Sequence, residues 1–150
     1  MIYIVSKESE FCRDLFLYDF DGTIAVDTKV SSILLKLCQP FKSFPLVFAA
    51  INFVRTICML PSKHSPRNKW HLLTSRHKYD HISVRLFLCL WGIECPISYS
   101  FRDDVNIPEK HYKLNYLSKI NGSWSYYEDN KDVVDFISLK LPNSRVSCES

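Results

Sequence analysis

Acidic side chains follow two of the apolar strands that the sequence predicts. Asp19 and Asp21 come directly after residues 15–18, and Glu128 and Asp129 come after residues 124–127. Ligands of parallel α/β sheets bind beyond the carboxyl ends of the strands, so we expect these carboxylates to meet at one rim of the sheet. Repulsion between carboxylates opposes such a concentration unless a cation is present. The pattern therefore predicts a cation at this rim.

Hydroxyl and cationic side chains follow two further predicted strands. Thr74, Ser75 and Arg76 come after residues 70–73, and Arg102 comes after residues 97–101. Both arginines are expected near the mouth of the site, where they either attract an anionic substrate or are ordinary solvated side chains. The rim therefore collects hydroxyl groups and cations as well as carboxylates, whereas the strands behind it are apolar.

Short apolar runs alternate along the chain with helical patterns, which is typical of a βαβ protein with a parallel sheet. The predicted strands are 15–18, 70–73, 97–101, 124–127 and a short last strand near 145–148. The predicted helices are 29–38, 46–60, 79–91, 108–120 (with Asn106 and Glu109 at capping-box spacing) and 132–139. We expect one α/β domain over residues 1–150, with a Rossmann-like, doubly wound parallel sheet of about five strands.

The segment between the first and second predicted strands, residues 24–69, is long enough for a small helical lid but not for a large cap domain. Within it, residues 44–60 are apolar on nearly every helical face. A membrane-spanning helix needs about 20 apolar residues, whereas this run is shorter and carries Asn52 and Arg55. We expect a buried or lid helix and no transmembrane span.

The composition is that of an ordinary globular domain. The 150 residues are 47% hydrophobic and 23% charged, and the formal net charge is only +3, which predicts no strong nucleic-acid-binding patch. The basic loop of Lys63, His64, Arg67 and Lys69 is expected at the amino end of the sheet, away from the site. The six cysteines lack metal-site spacing and indicate reduced, mostly buried thiols. With no signal peptide evident, we expect a cytoplasmic protein.

Four segments resemble the motifs of the haloacid dehalogenase (HAD) superfamily, in the family's order. LYDFDGT (residues 17–23) looks like the first motif, DxDGT at the end of an apolar strand, and HLLTSR (71–76) is similar to the second, a strand that ends in threonine or serine. The helix around Lys113 stands where the family has its third-motif lysine, and YYEDN (126–130) resembles the fourth motif, an apolar strand that ends in paired acids. The resemblance covers roughly residues 15–136 and implies a magnesium-dependent phosphatase.

The resemblance implies a role for each matching residue. Asp19 would be the nucleophile that forms an aspartyl-phosphate, and Asp21 would protonate the leaving oxygen and then activate water. Thr74 and Lys113 would contact phosphoryl oxygens, and the lysine would also steady Asp19. Gly22 would permit a tight turn that brings the backbone close to the phosphate.

Four further positions complete the candidate site for the substrate. Thr23 is expected to orient the loop, and Ser75 and Arg76 are candidate substrate-binding residues beside the second motif. Lys110 lies one turn before Lys113 and is an alternative for the motif lysine.

The resemblance also implies how Mg²⁺ would be held. Its ligands would be Asp19, the main-chain carbonyl of Asp21, and Asp129, since Mg²⁺ prefers oxygen ligands. Glu128 stands where the family often has a second aspartate, and Asp132 is an alternative for that second acid.

Three functions stay open on this basis. The leading expectation is a phosphomonoester hydrolase that uses an aspartyl-phosphate intermediate on an unassigned substrate. A looser resemblance to the 3′-phosphatase half of polynucleotide kinase-phosphatases makes a nucleic-acid 3′ end an alternative substrate. A non-catalytic HAD-like binding or membrane-associated module is an alternative from another class, because of Glu128 and the apolar residues 44–60.

Overall fold

The computed structural model of the protein describes residues 1–9, 14–66 and 69–150. The strands in these ranges are β1 Ile2–Lys7, β2 Leu15–Tyr18, β3 Ala25–Val26, β4 Leu60–Pro61, β5 Trp70–His77, β6 Ser98–Arg102, β7 Trp124–Glu128 and β8 Ser144–Glu149. The α-helices are α1 Lys29–Cys38, α2 Pro45–Ile57, α3 His81–Leu90, α4 Glu109–Ser118 and α5 Lys131–Lys140. The predicted α/β class is confirmed.

A six-stranded sheet with the order β6-β5-β2-β7-β1-β8 forms the centre of the molecule. Strands β6, β5, β2 and β7 are parallel, whereas β1 is antiparallel to both β7 and β8. The prediction of about five parallel strands therefore missed β1, which is a sixth strand and runs antiparallel to its neighbours. Its run of aromatic and β-branched residues, Ile2 to Val5, is typical of a strand, but no motif follows it that would have drawn attention.

Both faces of this sheet are buried, because successive residues of a strand point to opposite sides. One core cluster contains Tyr18, Leu72 and Tyr127 with residues of α3, and Tyr18 stacks on Tyr127 with ring centroids 4.2 Å apart. The other contains the neighbouring residues Leu17 and Leu73 with residues of α4 and α5. Helices therefore cover the sheet on two sides and leave its carboxyl rim for the site.

Helices α1 and α2 form an insertion between β2 and β5, and the short antiparallel ribbon of β3 and β4 closes its base. Helix α1 has the predicted bounds, and Thr28 caps it through a capping box with Ser31. Helix α2 begins with Pro45 at its first position and ends three residues before the predicted end. Of the helices in the described ranges, none combines the length and apolar character that crossing a membrane requires.

Helix α2 has an unusual distribution of side chains, because it buries polar residues and exposes apolar ones. Asn52, Arg55 and Thr56 are buried, whereas Leu46 and Val54 are 68% and 49% exposed. A buried arginine requires a charged or hydrogen-bonding partner, so the inner face of α2 must meet polar groups of the sheet. Those groups belong to the candidate site.

The predicted capping box at the start of α4 is wrong. The N-cap residue is Pro108, which makes no side-chain cap, and the backbone N–H of Asn106 donates instead to Oδ1 of Asp104 at 2.8 Å. Glu109 does not cap the helix because its carboxylate pairs with Lys113, one turn further on. The spacing alone did not reveal this competing partner.

The prediction of mostly buried thiols is also wrong. Three of the five cysteines in the described residues are exposed, one is half-buried and one is buried: Cys89, Cys95, Cys148, Cys58 and Cys38, all of them free thiols. Cys148 is exposed because it belongs to β8, at the edge of the sheet. Cys12 lies outside the described residues.

The described part of the basic loop joins β4 to the amino end of β5, as predicted. Lys63 and Lys69 are exposed, and Nδ1 of His64 lies 3.6 Å from Oε2 of Glu149 on β8. Arg67 lies outside the described residues. The loop therefore starts the strand at the end opposite to the acidic rim.

We expect the substitution Val5→Ala to test the position of β1. Val5 is fully buried, so losing its methyl groups should lower the free energy of unfolding by about 1–3 kcal/mol. Val146→Ala is the matched control, since Val146 pairs with Val5 on β8 but is 47% exposed, and it should cost less than about 0.5 kcal/mol. Equal losses in urea unfolding would contradict the placement of β1 inside the sheet.

Candidate functional site

The carboxyl ends of β2 and β7 bring the predicted acids together. The two strands are parallel neighbours with Tyr18 in register with Tyr127, so that Asp19 and Glu128 follow side by side. The backbone N–H of Asp19 donates to the carbonyl of Tyr127 at 3.0 Å. Carboxylate oxygens of Asp19, Glu128 and Asp129 lie within 4.8 Å of one another. Three acids at this spacing are able to hold a metal ion.

A buried ammonium, that of Lys113, lies against these acids. Its Nζ is 2.6 Å from Oε2 of Glu128, 2.6 Å from Oε1 of Glu109 and 3.3 Å from Oδ1 of Asp19. The contact with Asp19 is outside hydrogen-bond geometry, and this Oδ1 is buried with no hydrogen-bond donor among the described residues. A buried acceptor without a donor, beside other acids, is the kind of atom that a bound cation satisfies.

Glu128 is the most fully bonded acid of this cluster. Its Oε2 accepts hydrogen bonds from Lys113 and from the hydroxyl of Tyr126 at 2.7 Å, and its Oε1 accepts from the backbone N–H of Asn130 at 3.1 Å. A carboxylate has about four acceptor sites, and three are used here. Glu128 therefore positions Lys113 and keeps less capacity for a cation than Asp19.

Three carboxylates contact the single ammonium of Lys113 and Asp129 lies beside them, which raises proton affinities at the site. Burial raises the pKa of Asp19 well above its ordinary value, although Lys113 opposes the shift. Asp129 is an exposed residue, but burial of its carboxyl group and the charge of Glu128 raise its pKa to about 7. Burial would lower the pKa of Lys113, yet the charges of Asp19, Glu128 and Glu109 raise it, so the ammonium stays protonated. The site thus has an excess of negative charge that a divalent cation would relieve.

Gly22 forms a turn directly against Asp129. Its φ of 77° lies in the left-handed region, and its N–H donates to the carbonyl of Ala25 at 2.7 Å. A Cβ atom on residue 22 would be 1.9 Å from Oδ2 of Asp129, far inside van der Waals contact. Only glycine therefore lets the carboxylate of Asp129 lie over this loop.

Two arginines hold Asp21. Nε and Nη2 of Arg76 donate to its two carboxylate oxygens at 2.8 and 2.7 Å, and Nη2 of Arg55 lies 3.1 Å from Oδ1. Burial would raise the pKa of Asp21, but these cations, Arg76 first among them, lower it to about 2. Asp21 is therefore a carboxylate at neutral pH, and the acid and base roles predicted for it require the arginines to release it.

Arg55 is a site residue that the sequence reasoning missed. From the inner face of α2 its Nε and Nη2 donate to Asp27 at 3.0 and 2.6 Å, and its Nη1 donates to Oδ1 of Asn52 at 3.0 Å. Asn52 in turn donates to Asp80 at 3.1 Å. The available signal was a cation and an amide three residues apart in an otherwise apolar helix, because a buried charge needs partners.

The structure separates Thr74 from its neighbour Ser75. Thr74 is fully buried inside β5, and its Oγ1 accepts the backbone N–H of Arg76 at 3.2 Å. Ser75 lines the site cavity, and Thr74 does not. Thr23 is likewise buried away from the cavity, and its backbone carbonyl accepts a hydrogen bond from Ser62. The phosphoryl contact of Thr74 stays a prediction.

Two alternatives of the sequence analysis are distinguished by position. Lys110 is exposed, and its ammonium lies 4.9 Å from the ring centroid of Phe136, whereas Lys113 is the lysine beside Asp19. Asp132 is exposed in the first turn of α5, where its backbone N–H donates to Oδ1 of Asn130. Among the described residues it does not join the acidic cluster, so Glu128 is the second acid there.

A cavity of about 510 Å³ lies over these groups. The sheet contributes Asp19, Asp21 and Gly22 to its wall, together with Ser75, Arg76, Arg102, Glu128 and Asp129. Helix α2 contributes Phe48, Asn52 and Arg55, and α1 contributes Leu35. The cavity therefore combines an acidic end, able to hold a cation, with arginines able to bind an anion.

We expect Gly22→Ala to disrupt the acidic cluster. Gly92→Ala is its matched control, since Gly92 also has a positive φ of 63° but a Cβ there would meet nothing within 4 Å. Both variants carry backbone strain of about 1–2 kcal/mol, and only Gly22→Ala adds the clash with Asp129. Thermal unfolding with and without Mg²⁺ should show a larger loss for Gly22→Ala, and a Mg²⁺-dependent stabilisation kept only by the control. Identical behaviour of the two variants would contradict the contact.

We expect Lys113→Met to lower the free energy of unfolding by about 3–5 kcal/mol, because it leaves buried carboxylates unpaired. Lys110→Met, on the same helix, should change it by less than about 0.5 kcal/mol. The folded-state pKa of Asp19 is already raised, so its ionisation costs stability as pH rises, and removing Lys113 raises that pKa further. The loss of unfolding free energy in Lys113→Met, relative to wild type, should therefore become smaller as the pH falls from about 7 to about 4. A deficit that grows towards acid pH would contradict this account.

Comparison of the chain with protein-family models, with curated proteins and with solved structures gives no match. The chemistry of this rim therefore has to follow from its own side chains. These are Asp19 with an unused buried oxygen, the acids Glu128 and Asp129 beside it, the ammonium of Lys113, and the arginine-bound carboxylate of Asp21.

Proposed function

We propose that this protein is a magnesium-dependent phosphomonoester hydrolase of the HAD type. The observation that carries the proposal is the cluster of Asp19, Glu128 and Asp129 around the ammonium of Lys113. Its carboxylates outnumber its cations, and a phosphate dianion can approach Asp19 only when further positive charge is supplied. A hydrolase that binds a metal with its phosphate requires this imbalance, whereas a purely structural rim has no use for it.

Mg²⁺ fits the donor set of this cluster. The ion takes oxygen ligands, and Oδ1 of Asp19 is a buried oxygen with no hydrogen-bond donor among the described residues. Asp19 and Asp129 would hold the ion, with Glu128 beside them and the main-chain carbonyl of Asp21 as the ligand that the family resemblance implies. When bound, Mg²⁺ neutralises charge between the phosphate and Asp19.

Asp19 is the nucleophile in this proposal. One of its carboxylate oxygens forms a bond to phosphorus while the bond to the leaving oxygen breaks, and that oxygen keeps the electron pair and takes up a proton. Water then attacks phosphorus and loses a proton, the bond to Asp19 breaks, and phosphate leaves. The ammonium of Lys113, 3.3 Å from Oδ1 of Asp19, steadies the carboxylate and stabilises negative charge on the phosphoryl oxygens.

The pairing of Asp21 adds a requirement to the mechanism. Arg76 and Arg55 bind both carboxylate oxygens of Asp21 and lower its pKa, so Asp21 is a weak proton acceptor in the described arrangement. A phosphate dianion is a stronger partner for a guanidinium than a single carboxylate, because it presents more charge and more acceptors. The proposal therefore includes transfer of Arg76 towards the phosphate on binding, which frees Asp21 to exchange a proton with the leaving oxygen and with water.

The insertion of α1 and α2 would serve as a small lid on a Rossmann-like, HAD-type domain. The strand order around β2 supports this, since the strands that carry Asp19, Ser75 and Asp129 are adjacent and parallel. Phe48 and Arg55 of the insertion line the same cavity as these residues. A lid in this position would exclude water while the phosphoryl group is transferred.

We expect Asp19→Asn to abolish hydrolysis of an aryl phosphate in the presence of Mg²⁺. An amide cannot replace the carboxylate as nucleophile, so kcat should fall by about 10³-fold or more. Asp132→Asn is the matched control and should keep wild-type activity, because Asp132 lies outside the cluster. Phosphate release is measured after checking by circular dichroism that both variants fold. Equal rates for Asp19→Asn and wild type would remove the mechanism, and Mg²⁺-dependent stabilisation without turnover in wild type would indicate a non-catalytic binding protein.

A further inference from the structure

A second cavity adjoins the candidate site. It has a volume of about 340 Å³, and it shares Phe48, Ser75, Arg76 and Arg102 with the first cavity. The rest of its wall comes from Lys42 and Ser43 just before α2, from Pro45 at its start, from His77 at the end of β5, and from Val105 and Asn106 after β6. The two cavities therefore share part of their wall, and the second one lies next to the site over Asp19.

The two cavities carry opposite charge. Six acids line the first one, namely Asp19, Asp21, Asp27, Glu109, Glu128 and Asp129, whereas no acid among the described residues lines the second. This contrast originates in the sequence, because residues 28–79 contain nine Lys and Arg residues and no Asp or Glu. The second cavity thus presents cationic groups that the acidic cluster of Asp19, Glu128 and Asp129 does not neutralise.

Two of these cations, Arg102 and Lys42, have no acidic partner in the part of the chain that the structure describes. Nη1 of Arg102 donates to the carbonyl of Ile107 at 3.0 Å, its Nε has no hydrogen-bond acceptor, and it forms no ion pair within the described ranges. Lys42 is exposed and likewise has no ion pair there. Each cation therefore keeps donors for an anionic ligand.

His77 belongs to the wall of this cavity, and both of its ring nitrogens are hydrogen-bonded. Its Nδ1 accepts the backbone N–H of Tyr79 at 3.3 Å, and its Nε2 donates to the carbonyl of Asp103 at 3.0 Å. The ring therefore has no nitrogen left for a ligand. Phe48 and Pro45 add apolar surface between the acidic and the cationic ends.

We propose that this cavity binds a second phosphate, carried on the leaving group of the substrate. The inference rests on the proposed hydrolase and names its substrate class: a phosphomonoester whose organic part bears another phosphate, held by Lys42 and Arg102, with the carbon skeleton against Phe48. A small bisphosphate and the 3′-phosphorylated end of an oligonucleotide both present this chemistry.

The experiment compares kcat/KM of wild type for three substrates, all with Mg²⁺: an aryl phosphate, a nucleoside 3′,5′-bisphosphate and a short 3′-phosphorylated oligonucleotide. We expect at least one of the two substrates with a second phosphate to be preferred over the aryl phosphate by about tenfold or more, as one additional charge-assisted contact allows. A preference for the bisphosphate or for the oligonucleotide identifies the source of the second phosphate. No preference for either one overturns the inference.

Variants of Lys42 and Arg102 test whether the second cavity causes the preference for substrates with a second phosphate. Arg102→Gln and Lys42→Gln should each lower the preference by about fivefold or more, chiefly through a higher KM for the preferred substrate. Lys36→Gln is the matched control, because Lys36 is an exposed cation of the same insertion that lines neither cavity. Lys42 is itself exposed, so its variant remains informative even where Arg102→Gln fails to fold.

The outcomes distinguish failure of the proposed hydrolase activity from failure of the second-phosphate site. A wild type that hydrolyses none of the three substrates counts against the proposed hydrolase, and with it against the second-phosphate site. Hydrolysis of the aryl phosphate together with an undiminished preference in Arg102→Gln and Lys42→Gln overturns only the second-phosphate site. A preference lost equally in Lys36→Gln points to long-range attraction by net charge and also overturns it.

Discussion

A single buried ammonium, that of Lys113, determines the arrangement of the acidic rim. Carboxylates that follow β2 and β7 would repel one another, and Lys113 holds Asp19 and Glu128 on either side of one charge. Glu109 and Tyr126 complete its surroundings. Burying an ammonium costs several kcal/mol, and it is offset here only because several carboxylates face the same atom. The remaining negative charge would favour a bound cation at this rim.

A second polar network connects the helical insertion to this rim. Arg55 reaches from α2 to Asp21 and Asp27, and Nη1 of Arg76 donates to Oγ1 of Thr56 at 2.6 Å. The insertion is therefore attached to the sheet through charges and hydrogen bonds, while much of its apolar surface stays on the outside. An anion that drew Arg76 away from Asp21 would also break its hydrogen bond to Thr56 of α2, since the same guanidinium makes both contacts. The site and the insertion thus form one electrostatic unit.

The sequence-based expectations were accurate where an element depends on residues close together in the chain, and they failed where it depends on distant ones. Helix α1 and strand β2 have the predicted bounds, because hydrophobic periodicity and the N-cap at Thr28 are local signals. Strand β1 was missed, since its identity depends on pairing with β7 and β8 from the other end of the chain. The predicted capping box at Glu109 was wrong for a related reason. The carboxylate of Glu109 can bind either a backbone N–H at the start of α4 or the ammonium of Lys113, and it binds Lys113.

For this protein, the sequence by itself determined the order of the five α-helices and of the strands β2, β5, β6, β7 and β8. It also determined the positions of Asp19, Asp21 and Asp129 behind apolar strands, because those features are set by residues close together in the chain. Only the tertiary structure decided that Lys113 rather than Lys110 meets Asp19, and that Arg55 binds Asp21. Which face of a helix is buried, and which distant side chain reaches it, depends on the packing of many elements at once. The electrostatic balance of the rim is therefore a property of the fold and not of any motif.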